Sequence, residues 1–161
     1  MNLKMGGPSF KDFVIEKPQH SPHYQYHKYD PDDVSTHRRS IYRFIVRSQP
    51  QPFMDTFDCA DPSQLVDKRG ETTTALQALA LLNNQFMVKM SKNFAENVSK
   101  KSVSDAVRSA FEMAVSRIPT DAELELLNSY AKKHGLAATC RIIFNLNEFS
   151  FIDWHEQTTI L

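Results

Sequence analysis

The chain has 161 residues, which is long enough for one domain with a buried core or for two small lobes. Its 19 basic and 19 acidic side chains cancel, which argues against a general nucleic-acid or membrane-surface binder. Four glycines and a 41 % apolar share favour a helical globular protein over a sandwich or a fibrous chain.

The cysteines and the apolar runs restrict the chain further. Cys59 and Cys140 are too few for a disulfide framework or a zinc ligand set, and a single bridge and two separate buried thiols both remain open. No apolar run approaches the ~20 residues that cross a bilayer. The first seven residues do not resemble a signal peptide, so we expect any export signal to lie on a longer parent chain.

Residues 1–33 are rich in Pro, His, Tyr and Asp and show no sustained period, which predicts an extended N-terminal arm. Within it, His20, His23 and His27 have the spacing that lets histidines on a helix share a metal ion. Pro22 argues against that helix, and no acid or cysteine completes a ligand set. We therefore expect no metal site, with these histidines as the weaker alternative.

A helix is predicted next, capped by Asp33 or Ser35 and ending near Ser48. Its arginines at positions 39, 43 and 47 step by four and would share one face. Such a face suits an anion clamp, because arginine presents a bidentate fork. Ion pairs with the aspartates between positions 55 and 67 are the alternative, and we favour it.

A loop and a central helix follow. The sequence D-C-A-D-P at 58–62 is typical of a tight loop. The run from Ala75 to Leu82 is apolar except for Gln77, which predicts a helix buried on all sides and capped by one of the threonines at 72–74. If Gln77 and Asn83 are buried, each needs a hydrogen bond, which we expect from the arginine–aspartate loop.

Four helices are predicted in the remaining sequence. The first carries a core stripe of Phe86, Met90, Phe94 and Val98 and ends near Ser99. The three that follow are predicted from capping boxes, a stop at Pro119, a glycine at 135 and apolar periodicity, and the third spans about 136–148. Short joints predict that these three pack as an antiparallel bundle, with an apolar closing segment at 149–154.

The predicted fold class is therefore all-α. It combines a buried central helix, an irregular N-terminal arm and loop, and a small antiparallel C-terminal helical bundle. The predicted domain organisation is an arm at 1–33 and a single helical domain at 34–161. Within that domain, 34–99 carries the motifs and 102–154 forms the three-helix part.

Five motifs, in order, resemble one known family: R-R-S-I-Y-R-F, F-D-C-A-D-P, R-G-E-T-T-T-A-L-Q-A-L-A-L-L-N-N-Q-F, A-V-S-R-I-P-T-D-A-E and F-N-L-N-E-F-S-F-I-D. Together they resemble the PSD1 domain, the domain of unknown function 1553 of planctomycete cytochrome-c-like proteins. The resemblance extends from about Gly6 to Asp153.

The resemblance implies a context. In such proteins the domain is typically C-terminal, after a domain of unknown function 1549 and often a cytochrome c module. It implies a periplasmic or otherwise exported location, sister domains of these two kinds as partners, and haem on the separate cytochrome c module rather than on this chain. Neither nucleic acid nor a membrane span is implied.

The family has no established catalytic residues to carry over. Its motif positions define a candidate cluster that is either a shared site or a structural lock: Arg38, Arg39, Tyr42, Asp58, Asp61, Arg69, Thr73, Gln77 and Asn83. We favour a non-catalytic helical module that docks with sister domains. The alternatives are a ligand-binding or catalytic domain built on this cluster, and a haem-associated redox module using the histidines of the arm.

Overall fold

The computed structural model of the chain describes residues 2–17, 20–60, 74–99 and 102–150. Within these ranges the chain is mostly helical, which confirms the all-α prediction at that level, and it adds a small two-stranded antiparallel sheet that the sequence did not predict. The strands are β1 (Val14–Glu16) and β2 (His23–Gln25), and the helices are α1 (Pro52–Thr56), α2 (Ala75–Asn83), α3 (Gln85–Val98), α4 (Val103–Val115), α5 (Asp121–His134), α6 (Leu136–Ile143) and α7 (Asn147–Ser150).

The chain divides into two compact units. The N-terminal unit comprises residues 1–80 with 84–86, and the C-terminal unit comprises residues 81–83 with 87–161. The predicted division at residue 33 stays a prediction. No helix in the described ranges has both the length and the apolar character needed to cross a bilayer.

The N-terminal unit is organised by an aromatic cluster beside the hairpin of β1 and β2. Phe13, Tyr26 and Val46 are buried, and Tyr24 packs against them. The ring of Phe13 meets those of Tyr24 and Tyr26 edge-on, with centroids 5.1 and 5.6 Å apart. The side chain of Gln49 is attached to this cluster by two hydrogen bonds. Its Oε1 accepts from the N–H of Tyr24, and its Nε2 donates to the carbonyl of Tyr24. The arm is therefore built into a core.

The helix predicted to end at Ser48 does not form. Residues Val34–Thr36 and Ser40–Tyr42 make 3₁₀ turns, and the chain at Arg43 forms a parallel bridge with Phe10. In a helix these backbone groups would bond with one another, but here they bond with Phe10. The N–H of Phe10 donates to the carbonyl of Tyr42 at 3.0 Å, and the N–H of Phe44 donates to the carbonyl of Phe10 at 2.8 Å. The arginines at 39, 43 and 47 therefore do not share a helix face.

Helix α2 begins where the sequence predicted, but it is not buried on all sides. Thr74 caps it in a complete capping box with Gln77. Gln77 and Leu81 are buried, whereas Leu76 and Leu79 keep 64 % and 54 % of their surface exposed. An apolar sequence allows a helix to be buried on every side. Burial also requires other residues to pack on each side, and in the described structure nothing buries Leu76 and Leu79.

The C-terminal unit follows the predicted caps closely. Ser102 begins α4, and a capping box of Thr120 with Glu123 begins α5. Gly135, at a φ of 86°, ends α5 and lets the chain turn directly into α6. Helix α4 packs on α5 and α6, and α5 packs on α6. The core between them has these buried members: Ala106, Ala110, Phe111, Cys140 and Ile143.

Two details of the C-terminal unit differ from the prediction. The buried residues of α3 are Met87, Ser91, Ala95 and Val98. Of the predicted stripe, Val98 is buried and Phe94 packs against the core, whereas Phe86 and Met90 are only half-buried. The predicted third bundle helix is two helices, because the chain turns at 144–146 between α6 and α7. Part of the closing segment, residues 151–154, lies outside the described residues. The thiols of Cys59 and Cys140 are both free.

An arginine joins two carboxylates on the C-terminal unit. Arg117 donates to both oxygens of Glu123 at 2.9 and 2.7 Å and to both oxygens of Glu148 at 2.8 and 2.7 Å. Its guanidinium also lies 4.8 Å from the centre of the Phe111 ring. This arrangement links the start of α5 to α7 and is a structural clamp.

Candidate functional site

The members of the candidate motif cluster lie on several different elements of the described chain. Asp61, Arg69 and Thr73 lie outside the described residues. The other six fall in two places: around the 3₁₀ turn at Arg38, Arg39 and Tyr42, and at or near helix α2 with Asp58, Gln77 and Asn83. Whether these positions form a functional site stays a prediction.

Arg38 holds the N-terminal arm. Its guanidinium donates to the backbone carbonyls of Lys4, Gly6 and Pro8 at 3.2, 2.6 and 3.0 Å. It also lies 4.4 Å from the centre of the Tyr42 ring, in cation–π contact. The left-handed backbone of Gly6, at a φ of 70°, is one that residues with a Cβ rarely adopt. In the described part of the chain, the partners of Arg38 are thus the carbonyls of the arm and the ring of Tyr42.

Gln77 joins the loop to the start of α2. Its Oε1 accepts from the backbone N–H of Thr74 at 3.0 Å, and its Nε2 donates to Oδ2 of Asp58 at 3.3 Å. This confirms that the buried Gln77 bonds with the arginine–aspartate loop. Asp58 itself has left-handed backbone, at a φ of 54°. Arg39 and Asn83, by contrast, are exposed.

A cavity of about 480 Å³ lies in the N-terminal unit. Arg38, a member of the candidate cluster, is one of the residues that line it. Aromatic rings make much of its wall: Phe10, Tyr26, Tyr29, Phe53 and Phe86. Its charged side chains are Asp12, Arg38 and Arg43. This volume lies within the roughly 300–1,000 Å³ of small-molecule sites, and aromatic walls with a few polar groups are their usual composition.

Asp12 and Arg43 face each other in this cavity. Oδ2 of Asp12 lies 3.8 Å from Nη1 of Arg43, and the two side chains are 10 % and 11 % exposed. Burial raises the pKa of Asp12, and the nearby Arg43 charge opposes that rise. Burial, with the Asp12 charge, also raises the pKa of Tyr29 to about 12, so its hydroxyl is protonated at neutral pH.

Three buried polar atoms of these charged residues have no hydrogen-bond partner within the described part of the chain. They are Oδ1 of Asp12, Nε of Arg38 and Nη1 of Arg43. A buried polar atom without a partner is costly to stability, and these three atoms have almost no accessible surface, so a molecule in the cavity does not contact them.

The sequence analysis did not select Asp12, and it placed Arg43 on a helix that does not form. Asp12 stands in F-K-D-F, an acid between aromatic residues, and both of these phenylalanines belong to the folded unit. That local pattern is the signal that could have identified it. Pairing of residue 12 with residue 43 is not encoded locally, because it depends on the bridge from Phe10 to Arg43.

The histidines of the arm occupy separate elements. His23 lies in β2 opposite Glu16, and His27 lies in the following 3₁₀ turn and contributes to the cavity wall. Across the described ranges, no three or more side chains of His, Cys, Asp or Glu are close enough together to hold a metal ion.

Comparison with known proteins gives one match. The model of PSD1, described as a protein of unknown function (DUF1553), matches residues 1–131. Searches of curated proteins and of solved structures gave no match. The matched segment includes all residues that line the cavity and all of α2.

Proposed function

The chain belongs to the PSD1 family (DUF1553), and we propose that it is a non-catalytic helical module that docks with a sister domain of a parent protein. The observation that carries this proposal is the exposed apolar face of α2. Leu76 and Leu79 are three residues apart, so they lie on the same side of the helix. Exposed leucines grouped in this way mark interaction surfaces more often than isolated ones do.

Contacts at the start of α2 hold this apolar face in a fixed position. The capping box and the Gln77–Asp58 hydrogen bond fix the first turn, which contains Leu76. A helix fixed before binding loses less conformational entropy when a partner covers it. The partner that we propose is the DUF1549-like domain, through an apolar groove that accepts both leucines.

The wider context is part of the same proposal. The parent is an exported, multidomain protein associated with cytochrome c, and its haem is on the separate cytochrome c module. The C-terminal unit supplies a small antiparallel bundle of α4, α5 and α6. The mutual packing of these helices and their short connections support that arrangement.

Binding to the separately produced DUF1549-like domain tests the proposal. Isothermal titration calorimetry with the unmodified chain should give saturable binding. Replacing both Leu76 and Leu79 with Glu should weaken it at least about 100-fold, because two charges would enter an apolar contact. The matched control is Leu126→Glu, since Leu126 is 72 % exposed on another helix, α5.

The outcomes are clear-cut. Loss of binding in the double variant, with retained binding in the control and an unchanged circular dichroism spectrum in both, supports docking through α2. Equal binding by the double variant and the unmodified chain contradicts it, and so does the absence of any binding by the unmodified chain.

A second candidate function is ligand binding, which the volume of the N-terminal cavity and its aromatic and charged lining favour. It involves Arg38 of the candidate cluster and does not require the exposed face of α2. The two functions are compatible, because neither Leu76 nor Leu79 lines the cavity.

A further inference from the structure

Two amide side chains in the wall of the N-terminal cavity are held by the helices that follow them. Oε1 of Gln51 accepts from the N–H of Met54 at 2.7 Å, at the start of α1. Oδ1 of Asn84 accepts from the N–H of Phe86 at 2.9 Å, at the start of α3. Both oxygens thus bind N–H groups that the first turn of a helix leaves unpaired. The NH₂ group of each amide is the part that remains for another molecule.

These NH₂ groups are unused and accessible. Within the described part of the chain, neither Nε2 of Gln51 nor Nδ2 of Asn84 makes a hydrogen bond, and neither nitrogen is fully buried. The hydroxyl of Tyr29, in the same wall, also makes no hydrogen bond with the described residues and keeps accessible surface. Burial and the Asp12 charge raise the pKa of Tyr29 to about 12, so this hydroxyl stays a donor at neutral pH. The wall therefore contains three uncharged donors that a bound molecule can contact.

Aromatic rings supply the apolar part of the wall: Phe10, Tyr26, Phe53 and Phe86. Such rings pack favourably against another flat ring, in offset-stacked or edge-to-face contact. The unpaired atoms of the three charged side chains have almost no accessible surface, so they do not select a charged ligand. A complementary ligand is therefore a flat, uncharged ring that carries hydrogen-bond acceptors.

Carbonyl oxygens are the acceptors that suit these donors best. A carbonyl group only accepts, whereas a hydroxyl group also donates and needs an acceptor, and the amide oxygens of Gln51 and Asn84 are already bonded. A carboxylate would bring a charge that uncharged donors do not neutralise. We propose that the cavity binds a quinone, with its ring against the aromatic side chains and its carbonyl oxygens accepting from Gln51 and Asn84. The two oxygens of a para-quinone lie at opposite ends of the ring, so the two amides need not be adjacent.

This inference rests on the second candidate function, ligand binding in the cavity, and adds the class of ligand. Three probes with the same methylated ring test it. Duroquinone carries two carbonyl oxygens, durohydroquinone carries hydroxyl groups at the same positions, and durene carries hydrogens there. Every other ring position of duroquinone bears a methyl group, so it does not readily add the free thiol of Cys59.

The probes are titrated into the unmodified 161-residue chain in the absence of oxygen and followed by nuclear magnetic resonance. Duroquinone should shift the side-chain NH₂ signals of Gln51 and Asn84, because its oxygens accept from these groups. We expect it to bind at least about ten-fold more tightly than durene, which makes no hydrogen bond, and than durohydroquinone, whose hydroxyl groups need acceptors.

Variants then assign the donors. Asn84→Asp and Gln51→Glu keep an oxygen for the helix N–H but replace the NH₂ group with a second oxygen, so each variant should fold and lose one donor. Each should weaken duroquinone binding at least about ten-fold. Asn83→Asp is the matched control, because it makes the same change at an exposed neighbour outside the cavity wall. It should bind duroquinone as the unmodified chain does.

The proposal is supported if duroquinone binds most tightly and Asn84→Asp weakens its binding while Asn83→Asp does not, with both variants melting near the temperature of the unmodified chain. It is overturned if durene or durohydroquinone binds as tightly as duroquinone, or if Asn84→Asp and Gln51→Glu leave duroquinone binding unchanged. In these cases the cavity still binds a ring, and only the ligand class fails. Absence of binding by all three probes up to their solubility limits overturns the proposal and counts against ligand binding in the cavity as well. Leu76 and Leu79 are unchanged in every variant, so docking through α2 is tested independently.

Discussion

Nε2 of Gln77 donates to Oδ2 of Asp58, 19 residues earlier in the chain, across 3.3 Å. The same amide closes the capping box with Thr74, so a single buried side chain connects a loop to the first turn of a helix. Gln77 is 5 % exposed, and water replaces its hydrogen bonds poorly at that depth. The start of α2 thus depends on a residue well outside the helix.

Replacing Gln77 with Met tests this dependence. The substitution keeps the approximate volume but leaves the backbone N–H of Thr74 and the carboxylate of Asp58 without these partners. We expect the free energy of unfolding to fall by about 1–3 kcal/mol, measured by urea denaturation. Gln85→Met is the matched control, because Gln85 is exposed, and we expect a change within about 0.5 kcal/mol. Equal effects of the two substitutions would contradict a role for the buried amide.

The clamp of Arg117 predicts a dependence of stability on pH. Hydrogen bonds from Arg117 and from the backbone N–H of Thr120 hold the pKa of Glu123 at about 2, below its ordinary value of 4.5. The unfolded chain therefore binds a proton at Glu123 more readily than the folded chain does. The stability contributed by this carboxylate is present above about pH 4.5 and is lost as the pH falls towards 2.

Melting temperatures between neutral and acidic pH measure that contribution. The unmodified chain should be more stable than Glu123→Gln at neutral pH, and this difference should shrink as the pH falls from 4.5 to 2. Glu125→Gln is the matched control, because Glu125 is exposed on the same helix. A difference between Glu123→Gln and the unmodified chain that stays constant with pH would refute the linkage.

The end of α4 offers a stabilising substitution. Ser116 follows the last helical residue with a φ of 61°, and its N–H donates to the carbonyl of Glu112. Glycine adopts this left-handed backbone without the steric cost that a Cβ brings. We expect Ser116→Gly to raise the free energy of unfolding by about 0.5–1 kcal/mol, since the gain exceeds the entropy added to the unfolded chain.

Ser129→Gly is the comparison for that substitution. Ser129 is exposed in the interior of α5, where glycine is expected to destabilise by about 0.5 kcal/mol. Chemical denaturation of both variants should therefore give changes of opposite sign. If Ser116→Gly instead destabilises the protein, the side chain of Ser116 contributes more to stability than its left-handed backbone conformation costs.

The sequence predicted the elements whose signals are local. The caps at Thr74, Ser102 and Thr120 and the stop at Gly135 each depend on residues within one turn, and all four are confirmed. Periodicity located α4 and α5 for the same reason. The helical class follows from these elements, whereas their mutual orientation depends on packing that periodicity does not describe.

Predictions failed where distant residues compete for the backbone. The segment after Asp33 has a helical pattern, yet Phe10 takes the hydrogen bonds of Tyr42 and Phe44. The partners of Arg38 are backbone carbonyls, which are present at every position and so leave no mark in the sequence. The cavity was missed for the same reason, because Asp12 and Arg43 are brought together by the fold.

The bridge between Phe10 and Arg43 also constrains the order of events during synthesis. Residues 1–33 leave the ribosome before residues 34–44, so the arm can form its own hairpin, but Phe10 has no bridge partner until the chain has grown past Phe44. Until then Phe10 lacks its backbone hydrogen bonds with Tyr42 and Phe44. The backbone hydrogen bonds of each helix in the C-terminal unit are local and form quickly once the helix is released, whereas the bridge must first close the loop between Phe10 and Arg43. Within this stretch, the residues synthesised earlier are therefore not the first that can complete their structure.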